Sequence, residues 1–292
     1  MIISQIIGGL GNQMFQYAAA RSLSVERNQP LRLNIAEFDG YGLHQGFELE
    51  RVFNCPAEIA TKAEVGSILG WQFFSVIRRV LARPGMAALR RDGFVVEPHF
   101  HYWPEINRIP KDCYLVGYWQ SERYFEKHAS EIRADFAFKL PLSDRNSILS
   151  EQISQVNAVS LHVRRGDYAK NSKTRARHGL CSPDYYQRAI NYISGQVEQP
   201  RFFIFSDDMA WVKTHLKMAF PCYYVDHNRN EESYNDMHLM SLCRHHIIAN
   251  SSFSWWGAWL NPAPDKIVVA PVKWFADKNN NKDLFPPGWV TL

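Results

Sequence analysis

The sequence lacks the patterns that mark several large classes of protein. Its 292 residues carry 33 basic and 29 acidic side chains, an excess too small to indicate nucleic-acid binding. The five cysteines are scattered without a Cys-x-x-Cys, so neither a disulfide framework nor a zinc site is predicted. No export signal is recognised after Met1, and the longest apolar-leaning stretch, 245–264, is interrupted by serines and asparagines. We therefore expect a soluble, cytoplasmic protein.

The common nucleotide-binding motifs are also missing or incomplete. Gly9-Leu10-Gly11 begins a dinucleotide fingerprint, but Met14 stands where that fingerprint has glycine, which disfavours an NAD or flavin enzyme. No Gly-Lys-Ser/Thr occurs, which excludes a P-loop. No Asp-x-Asp, a pattern that can hold a divalent cation, occurs anywhere in the chain.

What is present is an alternation of strand and helix patterns. The first half is mixed α/β: strands are predicted at 2–7, 31–35, 94–97 and 113–117, and helices at 12–26, 65–81 and 121–134. After Pro141 the alternation becomes regular, with strands predicted at 158–163, 201–205, 222–225, 246–249 and 266–270, and helices at 183–194, 209–216, 233–242 and 253–260. This pattern predicts a doubly wound parallel sheet, and two domains at 1–140 and 141–292.

The segment His162-Val163-Arg164-Arg165-Gly166-Asp167-Tyr168 lies where a predicted strand leaves the sheet, the edge at which doubly wound folds bind ligands. Guanidinium groups contact phosphate oxygens bidentately and stay charged, so two arginines beside a turn-forming glycine suit an anion site. The alternative is a structural ion pair between Arg165 and Asp167.

Three further segments carry polar residues at element ends: Ile7 to Phe15, Phe205-Ser206-Asp207-Asp208, and Asn250-Ser251-Ser252-Phe253-Ser254. Asp207 is a candidate acceptor for nucleobase N–H groups, and Ser251 with Ser252 opens a helix that is suited to phosphate oxygens. For these last two segments, plain helix N-caps are the alternative interpretation.

Together, the four segments resemble bacterial α-1,2-fucosyltransferases of glycosyltransferase family eleven. The resemblance is carried by Gly8-Gly9-Leu10-Gly11-Asn12-Gln13-Met14, His162-Val163-Arg164-Arg165-Gly166-Asp167, Phe205-Ser206-Asp207-Asp208 and Asn250-Ser251-Ser252-Phe253-Ser254-Trp255-Trp256-Gly257. The His-x-Arg-Arg-x-Asp piece is shared with α-1,6- and protein O-fucosyltransferases. It therefore indicates GDP-fucose more strongly than it indicates the linkage.

The resemblance implies an α/β, GT-B-like enzyme with two Rossmann-like lobes facing across a cleft, the C-terminal lobe holding GDP-fucose and the N-terminal lobe the acceptor. It further implies inversion of GDP-β-L-fucose onto the 2-hydroxyl of a terminal galactoside. By that similarity the catalytic residues are Arg164, on the pyrophosphate, and Asn12. The donor-binding residues are His162, Arg164, Asp207, Ser251, Ser252, Phe253, Gly9 and Gly11. Arg165 and Asp167 resemble supports of the loop.

No cofactor and no metal are expected, because arginine and helix N-termini would replace the cation. Inversion ordinarily uses a carboxylate or histidine to take the acceptor proton, but no catalytic base is assigned. The alternatives are a fucosyltransferase of another linkage, α-1,6 or O-fucosyl, and a non-catalytic glycan-binding module suggested by nine tryptophans.

Two basic regions give further hypotheses. Lys170, Lys173, Arg175, Arg177 and His178 follow the arginine segment and predict a mobile loop that closes over GDP-fucose, or else a merely solvated loop. Residues 65–77 carry no charge and five arginines follow by Arg91, a pattern compatible either with weak membrane-surface association or with an ordinary core helix.

Overall fold

The computed structural model describes residues 1–40, 45–166, 179–276 and 281–292. The chain divides into two compact units. The first contains Met1–Lys139 with Lys282–Leu284, and the second contains Leu140–Asn281 with Phe285–Leu292. The division at 139/140 lies one residue from the boundary expected at 140/141, and the three residues 282–284 depart from a simple two-part split.

The first unit is built on a five-stranded sheet in the order β3-β2-β1-β5-β4, with every pair parallel. Its strands are β1 (Ile2–Gln5), β2 (Leu31–Asn34), β3 (Glu58–Ile59), β4 (Phe94–Val96) and β5 (Cys113–Val116). Its helices are α1 (Leu10–Arg27), α2 (Leu49–Val52), α3 (Lys62–Leu69), α4 (Ser75–Leu81) and α5 (Ala129–Asp135). Short 3-10 turns connect several of these elements.

Local sequence explains where the elements of the first unit begin. The helix α1 begins at Leu10 with Gly9 as its N-cap, after Gly8, whose φ of 87° is a left-handed conformation that favours glycine. The helix α3 starts with a capping box, in which Thr61 accepts from the Glu64 N–H and the Glu64 carboxylate accepts from the Thr61 N–H. Apolar faces of β1, β4, β5 and α3 then pack into one core.

The second unit is built on a six-stranded sheet in the order β11-β10-β9-β6-β7-β8, again parallel throughout. Its strands are β6 (Ala158–Val163), β7 (Arg201–Ser206), β8 (Cys222–Val225), β9 (His245–Ile247), β10 (Val268–Ala270) and β11 (Val290–Thr291). Its helices are α6 (Asp144–Ser154), α7 (Pro183–Ser194), α8 (Met209–His215), α9 (Tyr234–Leu242) and α10 (Ser252–Leu260). The strand β6 is buried along its whole length, as a central parallel strand should be.

The predicted doubly wound parallel sheet of the second half is confirmed, with element ends matching within about two residues. The helical stretch predicted near 65–81 is present but is not one continuous helix: α3 ends at Leu69, Gly70 adopts a φ of 55°, and a 3-10 turn over Gly70–Phe73 separates α3 from α4. The predicted helix over 121–134 begins only at Ala129, after two 3-10 turns. The short edge strands β3 and β11 were not predicted.

Within the described ranges, no helix is both long enough and apolar enough to cross a membrane.

Candidate active site

The topology of the second unit creates a crevice at the carboxyl edge of its sheet. From β6 the chain builds β7 and β8 on one side, and then returns to add β9 and β10 on the other side. This reversal of strand order makes the β6/β9 pair a topological switch point, where open α/β sheets bind ligands. The segments that leave β6 and β9 are residues 164–166 and 248–252, so both sequence-predicted segments lie at the switch point.

Asp207 ties the loop after β6 to the end of β7. Its Oδ2 lies 2.8 Å from Arg164 Nη1, and its Oδ1 accepts the Arg165 N–H at 2.8 Å. The Arg164 and Asp207 side chains are 27% and 26% exposed, so the pair is partly shielded from water. A Cβ on Gly166 would stand 2.7 Å from Asp207 Oδ2, which explains why glycine occupies that position. Asp207 therefore fixes the place of the Arg164 guanidinium.

Arg165 is held differently from Arg164. Its Nε lies 3.4 Å from Asp208 Oδ2, and its guanidinium carbon stands 3.9 Å from the centre of the Trp211 ring. Both contacts join the loop after β6 to the start of α8, which is the supporting position expected for Arg165. Asp167, the other expected support, lies outside the described residues, as does the basic segment 170–178.

His162, at the end of β6, connects that strand to the helix after β9. Its ring packs against Phe253 in the first turn of α10, with ring centres 5.8 Å apart. Burial lowers the pKa of His162 to about 4, while Asp207 opposes and Arg164 reinforces this shift. The ring is therefore neutral near pH 7. Its buried Nδ1 has no hydrogen-bond partner among the described residues, which leaves it able to bond a ligand group.

The N-terminus of α10 carries the two serines of the third strand-end segment. Ser251 occupies the N-cap position, but its side chain makes no capping hydrogen bond. By contrast, Asp208 does cap α8, because its Oδ1 accepts the Trp211 N–H at 3.2 Å. The Asp208 side chain is therefore the N-cap of α8, as the alternative interpretation of that segment predicts. The Ser251 side chain does not cap α10. Backbone N–H groups at the start of α10 form the kind of end that binds anions.

The glycine segment of the first unit positions Asn12. Its Oδ1 accepts from Gln120 Nε2 at 2.7 Å, which fixes the orientation of the Asn12 amide and makes its NH2 group the donor end. Gly9 and Asn12 are partly exposed, whereas Gly11 is buried. The neighbouring Gln13 is fully buried and ties the turn together, because its Nε2 donates to the carbonyl oxygens of Gly8 and Gly46.

Sequence reasoning missed Glu97, which directly follows β4. Its carboxylate accepts the N–H groups of Tyr118 at 2.7 Å and Trp119 at 3.0 Å. Trp119 is buried with a φ of 55°, unusual for a residue that is not glycine, and the next residue is the Gln120 that holds Asn12. Burial raises the pKa of Glu97 to about 7. The strand-end rule that identified the other segments also applies to this position.

A second overlooked polar group lies beyond β8. Asp236, on α9, accepts from Asn228 Nδ2 at 2.8 Å, and Asn228 bonds Asn146 on α6. His227 also bonds the Asn146 side chain, at 2.7 Å. Burial raises the pKa of Asp236 to about 7, more than the Asn228 bond lowers it. This network is part of the same edge of the sheet as the arginine loop, because it follows the carboxyl end of β8.

The tryptophans of α10 are core residues. Trp255, Trp256 and Trp259 are at most 1% exposed and pack on one another with ring centres 5.0 to 6.2 Å apart. A glycan-binding module needs exposed aromatic faces, so these side chains give no support to that alternative.

Solved structures share this architecture. Crystal structures of the fucosyltransferase NodZ from Bradyrhizobium match with TM-scores of 0.55 and 0.56 at 14% identity, over 89% of this chain and 92% of NodZ. The crystal with a TM-score of 0.55 was soaked with GDP-fucose and is described as an α-1,6-fucosyltransferase. The expected fold class, α/β and GT-B-like with two Rossmann-like units, is confirmed.

Relatives identified from sequence are more specific. An alpha-1,2-colitosyltransferase of Escherichia coli is 36% identical over 100% of this chain and 99% of its own length. The O-antigen biosynthesis glycosyltransferase WbnK of Escherichia coli is 34% identical over 99% of both chains. A galactoside 2-alpha-L-fucosyltransferase, SEC1 of Bos taurus, is 26% identical over 56% of this chain and 46% of its own length. The model of glycosyl transferase family 11 matches residues 102–292, and the chain belongs to this family of glycosyltransferases.

Proposed function

We propose that this glycosyltransferase moves fucose from GDP-β-L-fucose to the 2-hydroxyl of a terminal galactoside, with inversion to an α-1,2 linkage. The observation that carries the proposal is the strand-end loop after β6, where Asp207 holds the Arg164 guanidinium. Two residues earlier in the chain, the His162 ring packs on Phe253 in the first turn of α10. Two relatives whose names specify a 1,2 linkage, one transferring colitose and one fucose, support the linkage.

In the proposed donor site, the pyrophosphate of GDP lies between Arg164 and the start of α10. A guanidinium has several N–H groups, so it can hold Asp207 through one nitrogen and a phosphate oxygen through another. Ser251, Ser252 and the first backbone N–H groups of α10 supply the remaining donors. The neutral His162 ring, packed against Phe253, bonds the guanosine part of the donor. Besides any contact with the guanine base of GDP, Asp207 holds the loop after β6 in place.

In the transfer step, the bond between fucose C1 and the β-phosphate oxygen breaks and the electron pair leaves with GDP. The galactoside 2-oxygen forms the new bond to C1 from the opposite face, and its proton passes to solvent water, since no side chain is assigned as the base. Negative charge grows on the β-phosphate while positive charge grows on the sugar ring, so a fixed cation at the phosphate stabilises the transition state more than the ground state. We assign that role to Arg164. Asn12, at a glycine turn with Gly9 and Gly11, serves as a hydrogen-bond donor to the reacting sugars.

Turnover without a divalent cation forms part of the proposal. Its support is the lack of an Asp-x-Asp in the whole sequence together with the arginine at the proposed pyrophosphate position. Within the described residues, no group of three or more His, Cys, Asp or Glu side chains has the geometry to hold a metal ion.

A second donor is favoured by one specific observation, the 36% identity over the full chain with an alpha-1,2-colitosyltransferase. Colitose is fucose without its 3-hydroxyl, so the two GDP-sugars present the same phosphates to Arg164 and differ at one sugar position. The α-1,6 and O-fucosyl alternatives stand further away, since NodZ shares only 14% identity with this chain.

The deciding experiment is turnover of the purified protein with GDP-fucose and with GDP-colitose, each against a panel of galactose-terminated acceptors. We expect a product whose NMR spectrum shows an α linkage to the galactose 2-oxygen. A product linked at another position would overturn the linkage. GDP release only by hydrolysis, with no acceptor consumed across the panel, would overturn the proposed acceptor class.

A further inference from the structure

One short segment of the first unit exposes several large apolar side chains. Trp71, Phe74, Val76 and Leu89 keep 60%, 61%, 69% and 61% of their surface in solvent. Single exposed apolar residues are ordinary on a protein surface. Four of this size within nineteen residues, two of them aromatic, are not scattered singly and indicate an interaction surface.

A buried glutamine holds the two ends of this segment together. The Gln72 Nε2 donates to the Leu89 carbonyl oxygen at 2.8 Å, and its Oε1 accepts the Arg91 N–H at 3.2 Å. The Arg91 guanidinium occupies the space where a side chain on Gly70 would lie. These bonds hold the backbone next to Trp71 close to the backbone at Leu89, and both of these side chains are exposed.

The exposed side of α4 continues that surface. Val76, Arg79 and Val80 follow the spacing i, i+3, i+4, which places them along one side of α4, and all three are exposed. Arg83, two residues after α4 ends at Leu81, is exposed as well. Arg78, by contrast, is buried beneath the helix. We call the surface formed by these exposed residues the arginine-rich apolar patch; its members are Trp71, Phe74, Val76, Arg79, Arg83 and Leu89.

The charge of this region has one sign. Between Glu64 and Asp92 the sequence contains five arginines and no acidic residue. Glu37 contacts two of them, and its pair with Arg79 is long at 3.5 Å and leaves the arginine side chain 70% exposed. Exposed aromatic side chains and exposed arginines thus occur in one short segment that contains no acidic residue.

We propose that the arginine-rich apolar patch docks the protein on the anionic surface of a lipid bilayer. Tryptophan and phenylalanine side chains enter the boundary between headgroups and acyl chains, and arginines above them attract anionic headgroups. A protein partner would have to supply both a large apolar face and several carboxylates, whereas a bilayer with anionic lipids supplies both without specific shape. This docking is independent of the proposed transfer reaction and requires no substrate.

The test is co-sedimentation of the full chain with phosphatidylcholine vesicles, prepared with and without phosphatidylglycerol, at low and high salt. We expect binding to the anionic vesicles only, weakened by salt. The double variant Arg79→Gln/Arg83→Gln should lower the partition coefficient roughly thirtyfold, because each basic side chain near an anionic surface contributes about a fivefold factor. Trp71→Ser/Phe74→Ser should lower it by about tenfold or more.

Matched controls are available in the second unit. Arg145→Gln/Arg188→Gln removes two arginines whose side chains are 58% and 53% exposed, and Ile148→Ser removes an apolar side chain that is 58% exposed. Both controls should bind anionic vesicles as the unaltered protein does. Thermal melting checks that every variant is folded. If Trp71→Ser/Phe74→Ser does not fold, Arg79→Gln/Arg83→Gln alone tests the proposal.

Three results would overturn the proposal: equal binding to neutral and anionic vesicles, an equal loss of binding in the control variants, or no vesicle binding at low salt. Self-association that the Trp71→Ser/Phe74→Ser variant abolishes, in the absence of vesicle binding, would assign the patch to a second copy of the chain instead.

Discussion

Exchange of each neighbouring arginine for lysine separates the two roles that we propose for Arg164 and Arg165. The Arg164 guanidinium contacts Asp207 at 2.8 Å through one nitrogen, and its planar fork of N–H donors matches the geometry of phosphate oxygens. A lysine ammonium at that position is a single point charge and cannot reproduce the planar fork. We expect Arg164→Lys to lower kcat by a factor of ~100 to ~1,000, equivalent to ~2.7 to ~4 kcal/mol of transition-state stabilisation.

Arg165→Lys should behave differently, because Arg165 packs on Trp211 at 3.9 Å and pairs with Asp208 at 3.4 Å. Loss of the stacked guanidinium should cost about 1 kcal/mol of stability, which lowers the Tm by ~2 to ~4 °C in a chain of this size. Turnover per folded molecule should stay within about threefold, ~0.7 kcal/mol of barrier, of the unaltered enzyme.

The assay is kcat with saturating donor and acceptor, normalised to folded protein, together with thermal melting. Arg188→Lys, in an exposed pair with Asp184, is the matched control and should change neither quantity. The reasoning is refuted if Arg164→Lys keeps more than about a tenth of the turnover, a loss below ~1.4 kcal/mol, or if the two variants lose activity equally.

Three further predictions follow from the same geometry. Gly166→Ala should lower turnover and thermal stability because the new Cβ would stand 2.7 Å from Asp207 Oδ2, whereas Gly195→Ala, with its nearest contact at 3.5 Å, should change neither. The pKa of Glu97 is about 7 in the folded protein, whereas the ordinary value is 4.5, so the folded state binds this proton more tightly than the unfolded chain does. As the pH rises between those two values, the contribution of this carboxyl to the free energy of unfolding therefore falls. Urea denaturation should therefore show that Glu97→Gln is less destabilising at pH 8 than at pH 5, by on the order of 2 kcal/mol, and a difference independent of pH would contradict the assignment. Excess EDTA should lower turnover by less than about tenfold, and a greater loss that manganese restores would show that a cation is required.

The sequence alone determined the second unit almost completely. Its strands are short, apolar and separated by helical patterns, so the alternation specifies parallel pairing and places the polar residues that end each strand on one edge of the sheet. The four strand-end and glycine-turn motifs also indicated the family, because each of them is a short run of contiguous residues that can be recognised in the sequence. In the first unit the alternation of strands and helices is less regular. The prediction over 65–81 did not include the break at Gly70, because a local pattern does not reveal which side chains fill the core.

Only the tertiary structure decided which polar groups meet. Asp207 contacts the arginine loop across a separation of 43 residues from Arg164, because the register of β6 against β7 aligns their carboxyl ends. The contact between Gln120 and Asn12 depends in the same way on β5 lying beside β1. Exposure of Trp71 and Phe74 was also inaccessible to the sequence, since the uncharged stretch is compatible with a core helix as well as with a surface segment. Side-chain contacts and exposure depend on packing between elements distant in the chain, whereas the elements themselves follow from local periodicity.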